Sequence, residues 1–244
     1  MTRAADTLAH MAGLPFGTLD DILASGAALV LAPHPDDETL GCGGLIAEAC
    51  AQGRDIHVLI VTDGTGSHPG SPAWPAARLK AQREAEAREA VAALGLPADR
   101  LHFLGLQDAH APHEGAEFDA AVREIATYAA SHDARTLLAT WRHDPHADHL
   151  AVSRMARAAA AANGVRLLSY PVWGWTLPAE QPLDDRPPIG WRLDIASHLP
   201  AKRRAIAAHR SQTTDLIDDD PNGFRLEDQF VALFTRPFEV YLQD

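Results

Sequence analysis

Cysteine is nearly absent: the 244 residues include two, Cys42 and Cys50, too few for a disulfide framework to hold the fold. Both fall on one predicted helix, a placement that disfavours a bridge between them, so they read as small buried hydrophobes. A reducing, cytoplasmic setting is the matching expectation. A surplus of positive charge is also missing. The formal net charge is -12, which argues against a nucleic-acid partner held by a basic surface. Long apolar runs are missing too, and none approaches the roughly 20 residues that span a bilayer. The opening "MTRAADTLAHMAGLPFG" holds acids, a histidine and no apolar core, so neither a signal peptide nor a membrane anchor is expected. No repeat or low-complexity tract divides the chain, which predicts one domain over residues 1–244.

Short apolar runs instead alternate with longer Ala-rich amphipathic segments. "AALVLAP" (27–33) is apolar throughout, as suits a strand covered on both faces. Further strands are expected at 56–63, 101–105, 136–140 and 165–172. Helices are expected at 43–53, 75–95, 118–132 and 149–164, with Gly53 and Gly95 as natural C-terminal caps. This alternation predicts an α/β fold: a Rossmann-like, doubly wound, mostly parallel sheet with helices on both faces. The Pro-rich segment 177–190 reads as a loop. A strand at 191–195, a helix at 199–212 and a strand at 238–242 are expected to join the same domain.

Ligands of doubly wound sheets sit beyond the carboxyl ends of the strands, where strand order reverses. With the order 3-2-1-4-5 that crevice lies between the first and fourth strands. The two densest polar clusters follow those strands: His34, Asp36, Asp37 and Glu38 after the first, and "WRHDPHADH" (141–149) after the fourth. Either alone has a plain structural reading, a His-Pro-Asp turn or a helix N-terminus carrying Asp148. Together they suit zinc, which takes imidazole and carboxylate ligands, three from the protein in a catalytic site. A cation among them also lets adjacent carboxylates stay ionised.

The motif "APHPDDETLGCGG" (32–44), followed by "HADH" (146–149), resembles the PIG-L/LmbE family of zinc-dependent de-N-acetylases. "VTDG" (61–64), "REAEAREAVAALG" (83–95), "FLGLQD" (103–108) and "HRSQ" (209–212) match that family's pattern in order, so the resemblance spans roughly 27–212. It implies metal ligation by His34, Asp37 and His149, with Asp36 as general base. His146 would be the electrophilic or acid partner and Asp148 the group orienting its imidazole. Arg83 would contact substrate or brace the site. The implied activity is removal of an N-acetyl group from an amino sugar or glycoconjugate, such as an N-acetylglucosamine derivative. Zn²⁺ is the implied cofactor, and Fe²⁺ or another divalent metal suits the same donors. Two positions depart from the pattern: Asp144 stands where some members have a tyrosine, and Ala147 where many have proline.

Rival readings are an amidase acting on a larger thiol or sugar conjugate, a metal-dependent phosphoesterase, and a non-catalytic binding protein. A phosphoesterase favours a second metal and basic residues around phosphate, which the acidity of this chain counts against. Trp173 and Trp175 could face a sugar ring or fill the core, and Glu38 carries no role beyond support or helix N-terminal charge.

Overall fold

The computed structural model describes residues 2–183 and 186–243. The strands are β1 (Phe16–Gly17), β2 (Ala27–Ala32), β3 (Ile56–Thr62), β4 (Leu101–Leu106), β5 (Ala134–Thr140), β6 (Arg166–Tyr170), β7 (Gly190–Asp194) and β8 (Phe238–Gln243). Among the described residues they form one sheet in the order β1-β7-β8-β6-β5-β2-β3-β4. The expected 3-2-1-4-5 order is the parallel run β4, β3, β2, β5, β6. β2 and β3 are buried at every residue, which is why β2 reads as an unbroken apolar run and β3 as one interrupted only by His57 before its terminal Thr62. The chain's last strand, β8, does not sit at an edge. It inserts between β6 and β7, antiparallel to both.

The helices are α1 (Ala4–Ala12), α2 (Leu19–Ile22), α3 (Asp37–Ala51), α4 (Ala76–Ala93), α5 (Gly115–Ser131), α6 (Ala147–Asn163), α7 (Leu199–Ala208), α8 (Arg210–Thr213) and α9 (Asp228–Val231). One apolar core lies between the sheet and α3, α4 and α7, and a second between the sheet and α5 and α6. A third, smaller cluster underlies α1. Among the described residues no helix is long and apolar enough to cross a membrane.

Several expectations shift. α3 begins at Asp37 rather than at residue 43, so the acidic motif is the first turn of the helix and not a loop before it. Its glycines lie inside the helix, where they set close packing. A Cβ on Gly41 would stand 2.1 Å from the Tyr170 ring, and one on Gly44 2.3 Å from Ile195. The helix expected at 199–212 breaks at His209 into α7 and α8. The break sets His209 Nε2 3.3 Å from Thr39 Oγ1 and 3.4 Å from Glu38 Oε1 in the first turn of α3. Cys42 is buried, but Cys50 is only half-buried. Residues 177–183 and 186–189 are irregular apart from a bridge between Arg3 and Pro182, while 184 and 185 of that expected loop lie outside the described residues. α1, β1 and α2 precede the first element read from sequence. α2 is set by a reciprocal cap in which Thr18 and Asp21 satisfy each other's backbone amides.

Candidate active site and metal centre

β2 and β5 are neighbours whose onward connections leave in opposite directions, so a crevice opens at their carboxyl ends. His34 follows β2 by two residues, and His146 caps α6 shortly after β5. Between them Asp36 holds an unusual backbone, with φ of 148° at the N-terminus of α3. Such a conformation costs a non-glycine residue about 1–3 kcal/mol and persists only when its surroundings fix it. Here they do. The Asp36 amide donates to Glu38 Oε2 at 3.0 Å, and its carbonyl accepts from the amides of Thr39 and Leu40. Glu38, without an assigned role in the sequence, is thus the clamp on the Asp36 backbone.

Three side-chain atoms converge beneath Asp36. His34 Nδ1 and Asp37 Oδ2 are 3.1 Å apart, His149 Nε2 and Asp37 Oδ2 3.2 Å, and the two ring nitrogens 3.3 Å. Ligands around zinc at roughly 2.0–2.2 Å in a tetrahedron stand about 3.4 Å from one another. The far side of each imidazole is held by carboxylates. His149 Nδ1 meets Asp144 Oδ2 at 2.9 Å; His34 Nε2 meets Asp148 Oδ2 at 3.0 Å and Asp108 Oδ1 at 3.2 Å. These acids fix the protons on the outer nitrogens and turn both lone pairs inward, as metal-binding histidines require.

The electrostatics point the same way. Burial opposes ionisation of Asp37, but the adjoining His149 and His34 overcome it and hold the carboxyl well below the usual range. Burial lowers the pKa of both histidines, and the surrounding acids outweigh it: His149 rises to about 9, and His34 rises well above its ordinary value. The cluster therefore demands positive charge, and protons meet that demand when a cation does not. Two imidazoles and a carboxylate with inward lone pairs are a donor set that fits a divalent metal.

The remaining predicted residues separate by what they touch. Burial, chiefly, raises Asp36 to about 6, with Arg83 partly offsetting the effect. Arg83 is buried on α4. Its Nη2 donates to Asp36 Oδ2 at 3.1 Å and to the Pro35 carbonyl at 2.8 Å, and Nη1 donates to the Gly64 carbonyl at 3.0 Å. It braces the acid as well as lining the cavity. His146 Nδ1 accepts the Asp148 amide at 3.2 Å, which leaves Nε2–H as its donor. Burial lowers its pKa to about 4, helped by His34 and His149, so its ring is neutral at pH 7. Asp148 does not put its carboxylate on His146, as the resemblance implied. Oδ2 serves His34 and takes the Ala109 amide at 2.7 Å, while Oδ1 takes the Ala111 amide at 3.0 Å.

Asp144 is the residue that sequence reasoning undervalued. It is fully buried and accepts the amides of Val172, Trp173 and Gly174 while holding His149. Its partners follow β6 some thirty residues on, a contact no local spacing encodes. A cavity of about 410 Å³ lies over the cluster, with His34, Asp36, Asp37, Arg83, Asp108 and His146 on one side. Trp173, Phe224, Leu226 and Phe230 form an apolar wall on the other. Trp175 does not line it and packs, half-buried, against the core instead.

The family model described as GlcNAc-PI de-N-acetylase, PIG-L, matches residues 29–160. The chain belongs to the PIG-L family. It is, with that family, a hydrolytic N-deacetylase. A curated relative from Mycolicibacterium vanbaalenii, 1D-myo-inositol 2-acetamido-2-deoxy-alpha-D-glucopyranoside deacetylase, is 29% identical, covering 86% of this chain and 87% of its own. Among solved structures, the N,N'-diacetylchitobiose deacetylase of Pyrococcus horikoshii superposes with a TM-score of 0.65 at 19% identity, covering 92% of this chain and 86% of that one. The 4-carboxy-2-hydroxymuconate hydratase GalB of Pseudomonas putida superposes at 0.55 with 23% identity, covering 75% and 78%. At these identities the two structures show the fold alone. The PIG-L match contains every residue of the histidine–carboxylate cluster, whereas the apolar wall lies beyond its end.

Proposed function

We propose that this protein removes the N-acetyl group from an N-acetylated amino-sugar conjugate, with one zinc ion held by His34, Asp37 and His149. The observation that carries the reading is the triangle of inward donor atoms beside Asp36, a buried acid left out of it. An N-acetylated glucosamine unit is common to the names of the Mycolicibacterium and Pyrococcus relatives. Two further groups converge, His34–His146–His149 and His34–Asp108–Asp148, and both use His34; an ion on the latter would displace the proton that His34 Nε2 shares with Asp148, which favours one ion over the two of a phosphoesterase. Residues 1–244 are read as one catalytic domain, supported by a sheet that runs from Phe16 to Gln243. The cytoplasm is its proposed setting.

Bound there, the cation supplies Lewis acidity, polarising the amide carbonyl and making water acidic enough to deprotonate near neutral pH. Asp36 accepts the proton of the attacking water and passes it to the leaving amine, a task suited to a carboxyl whose pKa lies near 6. Arg83 and the Glu38 clamp hold that carboxylate in place. His146 Nε2–H donates to the carbonyl oxygen as negative charge builds on it. It does so as a neutral imidazole, since its Nδ1 is already an acceptor. Asp144, Asp148 and Asp108 keep the ligand imidazoles aimed.

The test is acetate release from a panel of N-acetylated sugars and conjugates, using protein stripped by chelation and then reloaded with zinc, iron(II) or nothing. The expected result is metal-dependent release with about one zinc per chain. A zinc-loaded protein that releases no acetate from any of the panel would sink the proposal.

A further inference from the structure

The apolar wall of the cavity has a second open face. A second compartment of about 380 Å³ adjoins it, bounded by the same Trp173, Phe224, Leu226 and Phe230 and also by Leu233. Each compartment alone falls within the roughly 300–1,000 Å³ that encloses a small-molecule ligand. The pair therefore suits a substrate longer than one sugar ring. The shared aromatics brace one another: Trp173 stacks on Phe230 with centroids 4.3 Å apart, and Phe224 meets Trp173 edge-on at 5.7 Å. Little here suits a phosphate or other anion. Arg225, the cation in the lining, is paired with Asp215, and Glu227 adds negative charge. Every residue lining the second compartment follows residue 173 or is residue 173, outside the 29–160 match.

We infer that this second compartment binds an apolar substituent, alkyl or aryl, carried by the substrate, and that Trp173, Phe224, Phe230 and Leu233 select for it. The inference rests on the deacetylase reading and narrows it to amino-sugar conjugates bearing an apolar group. That group has two possible points of attachment, the aglycone of the sugar or the N-acyl chain. The chemistry of recognition is the same for both.

Two probe series distinguish them. One is the methyl, butyl and hexyl glycosides of N-acetylglucosamine; the other is glucosamine bearing acetyl, butanoyl or hexanoyl on nitrogen. Binding to the full zinc-loaded chain is followed by titration calorimetry, and turnover by release of the carboxylic acid. In at least one series Kd should fall about fourfold for each methylene that becomes fully buried. The heat-capacity change should grow more negative as the chain lengthens. Whichever series responds identifies the attachment point. Leu233→Asp should flatten the ratio of hexyl to shorter-chain affinity, and Phe224→Ala should reduce it. Reading a ratio on protein with an intact thermal transition separates the effect from misfolding. A Kd independent of chain length in both series, with the methyl glycoside still turned over, overturns the subsite and leaves the deacetylase standing. Binding that tightens with chain length while no probe is hydrolysed upholds the apolar site and overturns the deacetylase reading. Neither tightening nor hydrolysis overturns both.

Discussion

The two walls of the cavity are built by opposite rules. On the polar wall nearly every group is committed to a named partner: each ligand imidazole has its carboxylate, and those carboxylates have backbone amides. On the facing wall Trp173, Phe224, Leu226 and Phe230 are held by non-directional packing. A buried charge network tolerates little change, because removing one partner strands another at several kcal/mol. Packed apolar surface tolerates exchange of shape when volume is kept, usually for less than about 1.5 kcal/mol. Chemistry belongs on the first wall and selectivity on the second.

The largest contrast should come from the ligands. His149→Ala removes one of three donors, and metal analysis should find zinc lost and activity at background. Chelation of the unaltered protein should do the same reversibly and lower its Tm, because a ligand present at about 100 times its Kd adds roughly 2.7 kcal/mol to the folded state. Asp36→Asn should keep the metal yet lower kcat by about 10²–10⁴. Full activity at unchanged zinc content would remove Asp36 from the mechanism.

Next in size are the acids behind the ligands. Asp144→Asn and Asp148→Asn should each weaken zinc binding by about 10–100-fold in a competition titration. For Asp148 this is the point of difference from the family-derived role. If it served His146 instead, kcat would fall at constant metal affinity. The pH profile is a finer probe. Burial raises the Asp36 pKa to about 6, and a base works only when deprotonated. Thus kcat/KM should fall about tenfold per pH unit below about 6. Arg83 opposes that rise, so Arg83→Met should move the acid limb to higher pH. A limb that stays in place detaches Arg83 from Asp36. The smallest effect belongs to the other wall: Phe224→Leu should shift KM among conjugates less than tenfold and leave kcat nearly unchanged.

The strands around the crevice were legible because parallel strands buried on both faces are mostly apolar, as 27–32 is throughout and 56–62 is apart from His57 and Thr62. The order 3-2-1-4-5 was taken from the doubly wound pattern, and β4, β3, β2, β5 and β6 follow it. β8 was legible as a strand but not in its place, since nothing local tells a terminal segment to insert antiparallel between two others. Residues 37–41 were not read as helix because the motif looks like a polar turn. Their helical state rests on Asp36 taking a positive φ, which Glu38 stabilises. The reversal of the Asp148 role has a similar cause. The resemblance implied that Asp148 orients His146, but at the N-terminus of α6 its carboxylate meets His34 while its amide serves His146.

By itself the sequence determined where the candidate reaction centre lies: histidines and acids released at two strand ends, in an order and spacing that admit a metal. Ionisable groups are costly to bury without partners, so their presence in apolar surroundings is informative before any fold is known. The tertiary structure alone decided which acids meet which imidazole, with Asp37 between the two and Asp148 and Asp108 behind His34. It also decided that Asp144 belongs to His149 and that a second apolar compartment opens beyond the first. Apart from the short step between Asp144 and His149, those outcomes depend on contacts between segments about 30 to 115 residues apart, where packing and desolvation, not local spacing, select the partner.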